Sequence, residues 1–305
     1  MKQGATLAEQ SREIIMQGSK SFSLAALLLG RETRDSAFLL YHWCRYCDDM
    51  IDQAEPGKAH EKLQMLREQT IQALTGAENL EPAFLALSRV VKKYSIPHHY
   101  PLELLAGMEM DVLQCQYNSF ANLKLYCYRV AGVVGLMMAH ILGVSHEKAL
   151  RNACDMGIAM QLTNIARDIL TDAQINRIYL PVEWLKEVGI PPLANAIMSP
   201  KHRAPLFLIV KKLLNEAEVF YQSGDRGLPF LATQPRLAIM SARYIYSDIG
   251  QLILYRKSFA WDTRTFVPLY RKIFWISLSL VRLTWQGLFK PRFQATPITQ
   301  VWRFQ

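Results

Sequence analysis

The chain offers almost nothing from which to build a sheet. Alternating β-branched runs bounded by turns are missing from its 305 residues, which excludes ordinary strands. Five cysteines, an odd number in a chain this long, argue against a disulfide framework and for a reducing cytoplasm. Cys44 and Cys47 form a solitary C-x-x-C in a helical stretch, with no second C-x-x-C or H-x-H beside it. Packing is the reading for that pair, not metal or redox chemistry. No apolar h-region precedes Ser11 and no Arg/Ser-rich transit pattern occurs, so no leader is expected. Low-complexity tracts and internal repeats are missing as well. Without a helix-turn-helix, zinc-finger or RNP-type motif, nucleic acid is not an expected partner. Without a Gly-rich dinucleotide fingerprint, NADPH is not an expected cofactor.

Acid is scarce at the C-terminal end. From residue 256 onward nine Lys and Arg face Asp262 alone, a local +8 within a total of +9, so the first 255 residues are nearly neutral. The segment KIFWISLSLVRLTWQGLF, Lys272 to Phe289, is uncharged only between Lys272 and Arg282. That is far short of the ~20 residues needed to span a bilayer. A basic amphipathic helix on an anionic membrane surface fits better, and a core helix with a basic solvent face is the other reading.

Helical periodicity fills the rest. Helices are expected near 6–17, 20–29, 33–53, 58–75, 82–94, 100–117, 123–142, 146–171, 181–187, 204–222, 234–254 and 267–287. Breaks fall at Glu55-Pro56-Gly57, Thr75-Gly76, Ser95-Ile96-Pro97, Gly143 and the Pro-rich stretch from Val188 to Pro205. With 50% hydrophobic residues the chain can bury a large core. The expectation is one all-α domain over 1–288 and a basic tail over 289–305.

Two Asp-x-x-x-Asp pairs stand out: Asp48 and Asp52 in YHWCRYCDDMID, Asp168 and Asp172 in QLTNIARDILTD. At roughly 100° per residue, this spacing puts both carboxylates of a pair on one helix face. Tyr41 and Arg45 extend the first stripe; Gln161 and Asn164 extend the second. The remainder of the second segment is apolar around most of its circumference, so it should be buried with its polar stripe toward an internal cavity. Unpaired buried carboxylates cost several kcal/mol each, and four facing one another repel. Hard divalent cations relieve both problems, and Mg²⁺ typically takes one or two carboxylates and fills its shell with water and phosphate oxygens. The pairs therefore point to a Mg²⁺–diphosphate site. Asp on a solvated face is the plain alternative for either pair alone.

The run Gly18-Ser19-Lys20-Ser21-Phe22, the segment LLYHWCRYCDDMID, YCYRVAGVVG (Tyr126 to Gly135) and QLTNIARDILTDA…RIYLP occur in that order. Together they resemble the squalene/phytoene synthase family, from about residue 15 to about residue 275. The resemblance implies a class I terpenoid-synthase helical bundle around a central cavity. It also implies a head-to-head condensation of two geranylgeranyl diphosphates. A cyclopropylcarbinyl diphosphate forms first and then gives 15-cis-phytoene and diphosphate, in carotenoid synthesis. The same chemistry on farnesyl diphosphate, giving dehydrosqualene or squalene, is the alternative. A non-catalytic, membrane-associated helical relative is the third reading, and loss of an Asp would be its mark; all four are present.

By the same resemblance Asp48, Asp52, Asp168, Asp172 and Asn164 hold Mg²⁺, with Mn²⁺ as a substitute. Ser19, Ser21, Phe22, Tyr41, Arg45, Gln161, Asn164, Arg177 and Tyr179 contact substrate. Tyr41, Arg45 and Tyr244 join the four Asp in catalysis. Arg264 and Lys272 match only loosely, and Asp49, about 100° from Asp48, ranks below it. Glu109 and Asp111 in GMEMDVLQ resemble a family segment without a catalytic assignment. Gly132 and Gly135 either let helices approach or leave room for a substrate tail, and the tail reading is preferred. Small Ala25 and Ala26 would leave room for a longer tail. Partners implied are prenyl diphosphates, an anionic membrane surface, and the enzymes before and after it in carotenoid synthesis. The expected location is the cytoplasm, peripherally on the inner face of the membrane.

Overall fold

A computed structural model describes residues 6–18 and 20–288. Among them there is no strand. Fourteen α-helices follow in order: α1 Leu7–Gly18, α2 Lys20–Ala26, α3 Arg31–Asp52, α4 Ala59–Thr75, α5 Pro82–Tyr94, α6 His99–Val112, α7 Phe120–Cys127, α8 Val133–Ile141, α9 Glu147–Gln174, α10 Val182–Glu187, α11 Ala194–Met198, α12 Arg203–Gly227, α13 Thr233–Arg256 and α14 Leu269–Leu288. The tail expected over 289–305 and Ser19 lie outside the described residues.

Local chemistry sets the ends. Gly76 and Gly143 take left-handed backbone, φ 82° and 79°, after α4 and α8, a conformation that glycine adopts without a Cβ penalty. Pro82 opens α5, where its missing N–H has no helical partner to lose. Ser119 and Asn122 close a reciprocal capping box on α7.

Four stretches differ from the sequence reading. α6 stops at Val112 rather than 117, since Gln114 turns to φ 48°. The Pro-rich stretch holds a short helix, α11. α12 runs on to Gly227 instead of 222, starting just ahead of Pro205, whose absent N–H costs nothing in a first turn. The expected 123–142 helix is interrupted by a π-helical turn, Tyr128–Gly132, inside YCYRVAGVVG; such turns favour functional positions.

Two large apolar cores and a small third one, around Ala139, Val144, Ala149 and Leu231, share the molecule. One gathers around α3: Phe38, Leu40, Trp43 and Cys47 pack with Leu63, Leu66, Phe84, Leu87, Leu105 and Met137. The other gathers around α9, 28 residues long, where Leu162, Ile165, Ala166 and Ile169 meet Leu206, Leu213, Tyr221, Ile245 and Ile253. Tyr128 and Val130 of the π turn pack against both.

The glycine question is settled in favour of close approach. A Cβ on Gly135 would run into the Ala153 carbonyl oxygen, and one on Gly132 would sit 2.9 Å from Cys154 Sγ. The π turn and α8 thus lie directly on the α9 backbone, and no room for a substrate tail is left at these two positions. Ala25 and Ala26 are likewise buried, and Ala26 belongs to the α3 core.

Candidate functional site

α3 buries Trp43, Cys47 and Ile51 on one side and leaves Tyr41, Arg45, Asp48 and Asp52 partly or largely accessible on another. The N-terminal segment lies on this face. Phe22 stacks on Tyr41 at 6.0 Å between centroids, and a Cβ on Gly18 would collide with the Tyr41 hydroxyl. Ser21 is half-buried at the start of α2.

On α9 the polar stripe is as the periodicity predicts. Leu162, Thr163, Ile165, Ala166, Ile169 and Ala173 are buried, while Gln161, Asn164, Asp168 and Asp172 keep part of their surface. Asn164 donates its amide to Gln161 Oε1 at 3.3 Å. Asp168 accepts from two guanidinium groups. Arg167 donates at 2.5 and 2.9 Å, and Arg264, 96 positions away, donates at 3.0 Å to each oxygen.

Arg177, just past α9, reaches Asp52 of the first pair at 2.8 Å and acts electrostatically on Asp172 of the second. Beneath it stands Asp111 of α6, which accepts from Tyr126 at 2.9 Å and Tyr179 at 2.8 Å. Those two rings stack at 4.8 Å, with Tyr117 against both. The electrostatics report the same convergence. Burial pushes Asp172 up to about 7, helped by Asp168 and opposed by Arg177. Burial likewise pushes Asp48 up to about 6, with the Asp52 charge adding to it and Arg45 opposing. Its side chain nevertheless keeps 51% of its surface, and the two causes act in one direction. Burial raises Asp111 too, against Arg177 and the two tyrosine hydroxyls. At Asp168 burial is outweighed by hydrogen bonds from Arg167 and Arg264, so its carboxyl stays below the usual range. Tyr41 is pushed up to about 12, first by burial, with Tyr246 and Asp48 adding to it against Arg45.

Several expected residues land differently. Tyr244 does not turn toward the Asp pairs; it stacks on Trp275 of α14 at 5.4 Å and accepts from Arg282. Tyr246 is the one near Tyr41 and Arg264, acting electrostatically on both. Two positions on a helix differ by about 200°, so only one of these tyrosines can face the site. Arg45 forks onto Asp49 at 2.6 and 3.0 Å and stands 3.6 Å from Asp48. Tyr179 is buried, its hydroxyl committed to Asp111. Arg264 is part of the site rather than of the basic surface, and Asp111 joins it with no assignment from the motifs. Asp111 falls one heptad from Leu104 and three positions past Met108, both buried, and that was its signal, because a charge placed on such a face needs partners.

Two hollows flank these groups. A groove of about 610 Å³ on the outer side of α3 is lined by His42, Arg45, Asp49 and Lys58, among others, without Asp48 or Asp52. A crevice of only about 10 Å³ lies at the second pair, between Ile165, Ile169, Asp172, Arg177 and Tyr179. The crevice holds Asp172 and Arg177, the groove Arg45 and Asp49.

The arrangement suits a hard cation. Its donors are carboxylate and amide oxygens, and burial disfavours the anionic forms of Asp48 and Asp172, a cost that a bound cation would offset. Among the described residues no three His, Cys, Asp or Glu side chains stand close enough to hold an ion alone. An ion would complete its shell with water or phosphate oxygens.

Residues 15–271 match the squalene/phytoene synthase family. A phytoene synthase of Pseudescherichia vulneris is 43% identical over 267 residues, 85% of this chain and 86% of that one. A 15-cis-phytoene synthase of Pantoea ananas is 40% identical over 268 residues, 85% of this chain and 86% of that one. In three dimensions a ligand-bound dehydrosqualene synthase superposes with a TM-score of 0.83 at 28% identity, covering 91% of this chain and 96% of that one. A squalene synthase of Alicyclobacillus acidocaldarius shares the fold, with a TM-score of 0.74 at 22% identity over 82% of this chain and 94% of that one. Four ordered motifs, the two facing Asp pairs and these relatives agree: the chain belongs to the squalene/phytoene synthase family.

Proposed function

We propose that the chain is a phytoene synthase, joining two geranylgeranyl diphosphates head to head through a cyclopropylcarbinyl diphosphate to 15-cis-phytoene and diphosphate. The observation that carries this reading is that Arg177, which shares a crevice with Asp172 of α9, pairs with Asp52 of α3, in a chain 40–43% identical to proteins named phytoene synthase. Asp48, Asp52, Asp168, Asp172 and Asn164 hold Mg²⁺, or Mn²⁺ in its place. Bound there, the metal supplies positive charge against the leaving diphosphate. The chain's own cations serve the same end: Arg45, Arg177 and Arg264 each present a planar fork suited to phosphate oxygens. Tyr41 and Phe22, stacked at the entrance of the α3 face, bound the substrate with Ser19, Ser21 and Gln161. The apolar cores on either side keep water from the carbocations.

The C15 reading, dehydrosqualene from farnesyl diphosphate, is favoured by the structural superposition on a dehydrosqualene synthase. The higher identity to phytoene synthases places it second. The work is proposed to take place on the inner face of a membrane; among the described residues no helix is long and apolar enough to cross one.

The test is a product assay on purified protein in detergent, offering farnesyl and geranylgeranyl diphosphate separately with Mg²⁺ or EDTA. A C40 hydrocarbon from geranylgeranyl diphosphate, abolished by EDTA, is expected. A C30 product from farnesyl diphosphate alone would move the enzyme to the other pathway. No product from folded protein would leave the non-catalytic reading. Asp48→Ala and Asp168→Ala should each lower turnover on the order of a hundredfold or more with the helical CD spectrum retained.

A further inference from the structure

Asp168 has no acceptor position left. An ionised carboxylate offers about four lone-pair sites, and four N–H bonds fall on this one. Arg167 donates through Nε to Oδ1 at 2.9 Å and through Nη2 to Oδ2 at 2.5 Å. Arg264 repeats the pattern, Nε to Oδ1 and Nη2 to Oδ2, each at 3.0 Å. The other three acids are answered more lightly. Arg177 reaches one oxygen of Asp52 at 2.8 Å, and Arg45 stands 3.6 Å from Asp48. Arg177 and Arg167 act on Asp172 through their charge.

The two guanidinium groups on Asp168 are not equally free to leave. Arg167 sits beside it on α9 with its side chain 15% exposed. Arg264 comes from the strap between α13 and α14 and keeps 65% of its side-chain surface, so water can take up its charge at little cost. The strap itself is fastened on both sides of this residue. Buried Trp261 donates from its indole to the Ala166 carbonyl of α9 at 3.0 Å, and buried Thr265 donates to the Ala260 carbonyl at 3.0 Å. Arg256 donates to the Thr263 carbonyl at 3.2 Å and to the Thr265 hydroxyl at 3.1 Å. The backbone around Arg264 is thus held against α9, and the side chain is the part that can move.

A cation that is to ligate Asp168 must first displace one of these groups, and Arg264 is the one with somewhere to go. The displacement opposes ion binding unless the guanidinium finds a new anion. Diphosphate supplies one, because the planar fork that matches a carboxylate also matches two phosphate oxygens. Ion and diphosphate then tighten each other by the same factor, as linkage requires. An ion without diphosphate gains little hold on the α9 pair.

We infer that Arg264 is a latch on the metal position: it closes Asp168 until diphosphate draws the guanidinium away, so that ion and diphosphate bind together rather than in turn. The latch rests on the reading of Asp168 as a metal ligand given above. What it adds is that Arg264 opposes the ion as long as no diphosphate is there. Its mark is an inverted sign, since removing this residue of the site should improve the binding of the metal alone.

The test is Mn²⁺ binding to the full-length protein without prenyl substrate, measured by equilibrium dialysis with and without inorganic diphosphate. Protein-free chambers correct for Mn²⁺–diphosphate complexes. Wild type should hold Mn²⁺ weakly alone and more tightly with diphosphate. Arg264→Gln should hold Mn²⁺ alone about tenfold more tightly than wild type, which is about 1.4 kcal/mol, and should gain less from diphosphate. Arg264→Lys keeps the charge but not the fork and should fall between the two. The latch is overturned if Arg264→Gln binds Mn²⁺ alone no more tightly than wild type. It is overturned as well if Arg264→Lys matches wild type while Arg264→Gln gains, because the gain would then be that of removing a nearby charge. Asp168→Asn separates the latch from the reading beneath it. If that variant loses the ion in the presence of diphosphate while Arg264→Gln behaves as wild type, the metal site stands and the latch fails. If Asp168→Asn binds Mn²⁺ and diphosphate as wild type does, Asp168 is no ligand and both fail.

Discussion

Asn in place of Asp172 keeps the shape of the side chain and removes a charge that the fold tolerates poorly. Asp172 is half-buried on α9; burial and the Asp168 charge push its carboxyl from an ordinary 3.8 to about 7. That rise corresponds to about 4 kcal/mol of folding free energy. A carboxyl whose pKa is raised by folding favours the native state below its ordinary pKa and loses that contribution as pH climbs through the raised value. In metal-free protein the loss therefore accumulates between about pH 4 and pH 7, and Asn, always neutral, escapes it. Arg177 gives back part of the gain, because it loses a nearby anion. The net expectation at pH 8 is an increase of about 2–4 kcal/mol, or a melting temperature higher by on the order of 5 °C. At pH 4 the two proteins should melt together.

The assay is calorimetric or CD melting of wild type and Asp172→Asn in EDTA from pH 4 to pH 8, repeated with Mg²⁺ and inorganic diphosphate. With metal and diphosphate present the wild type should recover most of the difference and the variant little, while turnover of the variant falls on the order of a hundredfold or more. A stabilising substitution that abolishes activity is the signature of a site strained for function. An Asp172→Asn protein that melts at or below the wild type at pH 8 in EDTA would refute the reasoning, because the carboxylate would then be a net structural asset.

Three further outcomes follow from the same geometry. Asp111→Asn keeps one acceptor for Tyr126 and Tyr179 but withdraws the charge beneath Arg177. Turnover should drop by roughly tenfold or more, as expected for a misplaced charged donor, and steady-state kinetics that match wild type would remove Asp111 from the site. Tyr246→Phe should lower turnover, whereas Tyr244→Phe should chiefly lower stability by about 1 kcal/mol through the lost Arg282 contact; the reverse pattern in a paired assay would restore the original placement of Tyr244. Gly135→Ala forces a Cβ onto the Ala153 carbonyl oxygen and should cost about 1–3 kcal/mol, read as a shifted denaturant midpoint; an unshifted midpoint would mean that α8 and α9 have slack.

The two stripes were legible because the helical period alone places i, i+3, i+4 and i+7 together. Gln161, Asn164, Asp168 and Asp172 needed no knowledge of the rest of the chain. Partners drawn from elsewhere are another matter. Arg264 reaches Asp168 across 96 positions, and nothing local distinguishes it from the other cations of the basic end. Asp111 could have been found by the argument used for the pairs, that a carboxylate among buried residues must be answered by donors. The π turn at Tyr128–Gly132 leaves no mark in the period, since one extra residue per turn merely blurs it.

Tyr244 has a deeper reason for its misreading. Periodicity tells which residues of a helix lie together but not which face turns inward; that sign is usually assigned by putting the apolar face inside. On α13 the assignment fails because polar contacts to α14 help set its rotation: Asp248 with Arg271, Tyr244 with Arg282. These contacts hold Tyr244 away from the site and leave Phe274 and Val281 outside.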